Sequence, residues 1–104
     1  MAERIALHTR LKAGRELDYD RIHATISDEL DQRLRAAGVT AWSIWRSGRD
    51  LFHLVEVEDY AGMRHRLAED PVNVAWQQQM SELLEVADDY SGDDRGIPLV
   101  WSLP

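Results

Sequence analysis

The sequence predicts an α+β domain, a four-stranded antiparallel sheet with helices on one face. Three observations carry this. Four strand-like stretches are spread along the chain, helical periodicity fills the intervals after the first and third, and a short Gly-containing link joins the middle two. At 104 residues the chain holds a single core, so residues 1–104 form one domain.

The first strand is Arg4 to Leu11. Ile5, Leu7, Thr9 and Leu11 point one way and Ala6, His8 and Arg10 the other. Gly14 precedes the first helix as a weak cap, lacking a side-chain oxygen. That helix is expected from about Arg15 to Ala37 and is stopped by Gly38, which suits a left-handed C′ position. At about 100° per residue, Tyr19, Ile22, His23, Ile26, Leu30, Leu34 and Ala37 share an apolar arc. Asp20, Asp28, Asp31, Gln32 and Arg35 fall outside it. Arg33 projects into the arc and must snorkel.

Thr40–Arg46 and Leu51–Val57 read as strands joined through Ser47-Gly48-Arg49-Asp50, a hairpin. Trp42 and Ile44 share one face and Trp45 takes the other; Leu51, His53, Val55 and Val57 oppose Phe52, Leu54 and Glu56. Both faces are largely apolar, so a second subunit is expected to cover the sheet. Asp59 caps a short helix to about Ala68. Asp70 caps another, with Pro71 in its first turn and Val72, Trp76, Met80, Leu83 and Leu84 as its apolar stripe. An acidic loop from Asp88 to Gly96 leads past Pro98 to a last strand, Leu99–Leu103. This order gives a ferredoxin-like sheet whose uncovered face packs on a symmetry mate.

Composition narrows the function. The net charge of −7 supplies no basic patch for nucleic acid or for an anionic membrane. With no cysteine there is neither a disulfide framework nor a thiolate metal site. The N-terminus lacks the apolar run of a signal peptide, and no segment reaches the roughly 18 apolar residues of a membrane span. A soluble cytoplasmic protein is expected.

Tyr19 and His23 are i and i+4, stacked on one helix face. An imidazole there either fills the core with its nitrogens satisfied, or does acid–base work at neutral pH. Trp45 and Trp101 suit core or interface area; Trp42 and Trp76 lie on apolar faces that could share a cavity with His23. His8 and His53 fall on strands that are neighbours in this fold and could meet. Without an H-x-x-x-H pair, a carboxylate cluster at ligand spacing or a cysteine, no metal site is expected. His65 is expected to be exposed. No Gly-rich phosphate loop and no G-x-S-x-G elbow is present, so any chemistry should be proton-based and need no cofactor.

Tyr19-x-x-x-His23 with Ile26 and Glu29, Gly38-x-x-x-Trp42-Ser43-Ile44, Leu51-Phe52 leading to Val55-Glu56, Trp76-x-x-x-Met80 and the closing Leu99–Leu103 occur in this order over nearly the whole chain. In this the chain resembles the L-rhamnose mutarotases, small dimeric α/β-barrel proteins. The resemblance implies that His23 is the general acid/base, that Tyr19 contacts the sugar, and that Trp42 and Trp76 line the pocket. Trp42 stands where the family commonly has tyrosine. Ser27-Asp28 replaces the family's usual Trp-Pro, and Gln77 a frequent second tryptophan. The implied function is cofactor-free interconversion of the α and β anomers of a 6-deoxyhexose such as L-rhamnose, in a homodimer. The alternatives are a monooxygenase-like enzyme of the same barrel class, and a non-catalytic small-ligand domain in which His23 is structural.

Overall fold

The computed structural model of the chain describes residues 2–88, 90–91 and 94–104. Met1, and Asp89, Gly92 and Asp93 of the expected acidic loop, lie outside the described residues. The elements are β1 (Glu3–Arg10), α1 (Glu16–His23), α2 (Asp28–Ala36), β2 (Val39–Ser47), β3 (Asp50–Val57), α3 (Tyr60–Ala68) and α4 (Pro71–Ser81).

The expected helix over 15–37 is two helices. α1 ends at His23. The chain turns through Ala24 to Ile26, and Ser27 restarts it as an N-cap in extended conformation, its Oγ accepting from the Leu30 N–H at 3.1 Å. Asp28, Glu29 and Asp31 sit in the new first turn, where carboxylates favour the positive end of the helix dipole. Local serine capping thus wins over a helical period that continues unbroken through the turn. The break moves His23 from mid-helix to the last turn of α1.

Among the described residues the sheet is antiparallel with order β1-β3-β2, three strands rather than four. β2 and β3 meet at a two-residue turn, Gly48-Arg49, with Ser47 paired to Asp50 and Gly48 at φ 59°. The expected fourth strand, Leu99–Leu103, pairs with no strand among the described residues. A single bridge, Ala6 to Ile97, starts an antiparallel approach to β1. Continuing it would set Val100 opposite Glu3, where β1 begins, so the tail runs off the sheet. Pro98, with no N–H to give, interrupts the ladder at once.

All the buried sheet positions lie on one face, under the helices. There they form two clusters. Val39, Val55 and Val57 pack with Tyr60, Met63, Leu67 and Tyr90; Leu11 and Leu51 pack with Tyr19, Met80, Leu83 and Leu84. The other sheet face carries Trp45 and Phe52, 58% and 45% exposed and register partners across β2 and β3, beside His8 of β1. The tail adds exposed Leu99, Val100, Trp101 and Leu103. Arg33 snorkels as expected, its guanidinium 3.8 Å from Asp70, and His65 is exposed. Among the described residues, no helix is long and apolar enough to cross a membrane.

Candidate active site

Between the two clusters lies a cavity of about 490 Å³, walled by the sheet on one side and the helices on the other. All four side chains singled out from sequence line it: Tyr19, His23, Trp42 and Trp76. Of the positions noted as departures, Gln77 faces the cavity; Ser27 and Asp28 do not, lying at the helix break behind Ile26 and Leu30.

The i, i+4 spacing brings Tyr19 and His23 ring over ring, centroids 3.9 Å apart and nearly parallel. The Tyr19 hydroxyl is not the histidine's partner. His23 Nδ1 lies 3.2 Å from the Tyr19 backbone carbonyl, which can only accept, so Nδ1 carries the hydrogen. In the neutral ring Nε2 is then a free acceptor, and it has no partner among the described residues. Trp76 meets the imidazole edge-on at 5.1 Å. Burial pushes the His23 pKa down from its ordinary value, against the opposing pull of the Tyr19 carbonyl and of Asp20. Burial also raises the Tyr19 phenol well above its usual range, so it keeps its proton.

The sheet contributes two residues for which sequence gave no site role, His53 and Thr9. The Trp42 indole N–H donates to His53 Nδ1 at 3.2 Å, and His53 Nε2 lies 3.0 Å from Thr9 Oγ1. Burial, assisted by the nearby charges of His23 and His8, holds the His53 pKa down at about 4. His8 and His53, which neighbouring strands would allow to meet, do not meet. Register opposes His53 to Leu7, and His8, on the open face, bonds Asp50 at 2.9 Å. Alternation along β3 put His53 on the same face as Val55, and that was the available signal.

The far end of the cavity is polar. Arg64 of α3, its side chain 6% exposed, grips Asp88 with two hydrogen bonds (2.8 and 3.2 Å) and the Ser91 carbonyl at 3.0 Å. Its guanidinium sits 4.9 Å from the Tyr90 ring centroid, and its buried Nε–H has no hydrogen-bond partner among the described residues. Asn73 and Gln77 of α4 complete this end, Gln77 donating to the Asn73 side-chain oxygen at 3.3 Å. Nothing in the short apolar pattern of α3 marks Arg64 as buried; its partners come from a loop 24 residues on.

Fold and site together define a small α+β protein with an aromatic-walled cavity that presents one free imidazole nitrogen. Residues 4–103 match the family model for L-rhamnose mutarotase. An L-rhamnose mutarotase of Agrobacterium fabrum is 32% identical over 104 residues, covering 98% of this chain and 96% of the relative. One from Opitutus terrae is 36% identical over 83 residues, covering 78% and 79%. The crystal structure of an L-rhamnose mutarotase from Formosa agariphila superposes with a TM-score of 0.78 at 25% identity, covering 98% of this chain and 99% of that one. The chain belongs to the L-rhamnose mutarotase family, a family of isomerases.

Proposed function

We propose that this protein interconverts the α and β anomers of L-rhamnose, with His23 as the acid/base group and without a cofactor. The observation that carries the proposal is the state of His23: it lines the cavity with Nδ1 tied to the Tyr19 carbonyl and Nε2 unpaired. A depressed pKa keeps that nitrogen a base at neutral pH. Nε2 takes the proton of the anomeric hydroxyl. The anomeric C–O becomes a carbonyl as the bond from that carbon to the ring oxygen breaks, and the ring oxygen takes up a proton, supplied by water. Rotation of the open-chain aldehyde followed by the reverse steps gives the other anomer. Tyr19, too basic to give up its proton, contacts the sugar and holds the imidazole plane; Trp42 and Trp76 supply walls for its C–H faces.

The active form in this reading is a homodimer. Its support is the exposed row of His8, Phe52 and Trp45 on the open sheet face, together with the apolar tail after Pro98. Sedimentation that finds only monomer at micromolar concentration contradicts this part.

Saturation-transfer NMR of anomer exchange tests the activity on L-rhamnose, L-fucose and other aldoses. Exchange should exceed buffer for L-rhamnose and fall about 10²–10⁴-fold in folded His23→Ala. Exchange no faster than buffer across the panel sinks the mutarotase reading. Acceleration that survives in His23→Ala keeps the activity and discards the acid/base.

A further inference from the structure

The bonds of His53 have a fixed direction, set by the chemistry of its partners. An indole N–H only donates, so the Nδ1 that faces Trp42 at 3.2 Å is an acceptor and bears no hydrogen. The single hydrogen of a neutral imidazole is then on Nε2, 3.0 Å from Thr9 Oγ1, and the threonine oxygen accepts it. An imidazolium is disfavoured by the same contact, since it would set two N–H groups against each other at Trp42. Thr9 keeps one hydrogen of its own. No acceptor for it is found among the described residues, and Thr9 forms part of the cavity wall on β1.

We infer that Thr9 is a ligand-contact residue of defined sense: its hydroxyl donates to an oxygen of the bound molecule, with His53 as the positioning residue and Trp42 as the start of the chain. The inference rests on the mutarotase reading for the ligand class, where the acceptor is a ring or hydroxyl oxygen of the sugar. Each bond in the series polarises the next, so the terminal O–H is a better donor than a lone threonine. A sugar with hydrogen in place of oxygen at that point leaves the Thr9 O–H unpaired in a partly dry wall, and a site built to bond an oxygen rejects such an analogue strongly. The role of Trp42 changes with this. It is wall and also anchor, its N–H already committed to His53 and withheld from the sugar.

The test has two arms on the full chain. Long-range ¹H–¹⁵N correlation on the free, histidine-labelled protein reads the His53 tautomer; a protonated Nε2 beside a pyridine-type Nδ1 is expected. The Nδ1-protonated tautomer, or a rapidly averaged ring, overturns the inference irrespective of any activity. The second arm measures L-rhamnose affinity by NMR titration, and KM and kcat by anomer exchange. Thr9→Val should weaken binding and raise KM roughly tenfold with kcat little changed, the loss of one hydrogen bond. Thr9→Ser should restore both to within about threefold. Wild type that exchanges anomers while Thr9→Val binds and turns over equally well refutes the contact and leaves the mutarotase reading standing. Wild type that binds L-rhamnose without exchange refutes the mutarotase reading, and the affinities of the Thr9 variants still decide the contact. No binding to the wild type overturns both.

Discussion

Acidification should destabilise this protein through His53. The unfolded chain takes up a proton at this residue near 6.5, the folded chain only near about 4. Between those values the unfolded state binds more protons, so stability falls as the pH falls. The gap between 6.5 and about 4, at about 1.4 kcal/mol per pH unit, makes the full loss about 3.5 kcal/mol below pH 4. A domain of this size has only about 5–15 kcal/mol in all. His23, whose pKa is also pushed down by burial, adds in the same direction.

Urea midpoints at intervals from pH 7 to 4.5 measure this for wild type, His53→Asn and His23→Asn. Asp20, held below the usual carboxylate range chiefly by its hydrogen bonds to Arg46, is unaffected in this range. The wild type should lose about 2 kcal/mol across the window, the part of the gap it spans. His53→Asn should be less stable at pH 7 yet lose much less on acidification. An equal pH slope in wild type and His53→Asn refutes the claim that His53 is folded in its neutral form.

Two further outcomes follow from the same geometry. The acid limb of kcat/KM for anomer exchange should lie below 6.5, since a lowered His23 pKa extends the basic form to lower pH; a limb above that value contradicts the burial of the imidazole. Ser27→Ala should cost about 0.5–2 kcal/mol in urea denaturation through loss of the α2 cap. It should leave KM unchanged, because Ser27 is not on the main cavity wall.

Periodicity put Tyr19, His23, Trp42 and Trp76 on inward faces, and register then did what the spacing required. The helix break was legible only in part. Ser27 before three acidic residues is a start signal, yet Ile26, Leu30 and Leu34 stay in phase with α1 across the turn, so a hydrophobic count cannot see it. Strand composition at Leu99–Leu103 was sound, but a strand needs a neighbour, and β1 ends before the tail can use it. Alternation set His53 on the face of Leu51 and Val55 but could not say what it bonds. Its meaning depends on Thr9 and Trp42, which are adjacent through two different strand pairings. Arg64 was illegible for the same reason: its partners are set by how a loop returns, and no local pattern encodes that.

The polar end of the cavity argues for an uncharged ligand. Arg64 alone would invite a phosphate or carboxylate. Its guanidinium is instead spent on Asp88, with Asp94 a further 3.8 Å contact, so the local charge is balanced or negative in a chain already at −7. A phosphorylated sugar would meet the Asp88 carboxylate on the cavity wall and the penalty of burying its own charge. A neutral monosaccharide, as proposed, would meet donors and acceptors already on the cavity wall: Thr9 at the sheet, Asn73 and Gln77 on α4, the Asp88 carboxylate at the loop. Mutarotation proceeds unaided in water, so acid–base help of about 10²–10⁴-fold from one imidazole is sufficient chemistry. On the proposed mutarotation, the remaining polar groups of the cavity would serve selection, fixing which neutral sugar lies with its anomeric hydroxyl at His23 Nε2.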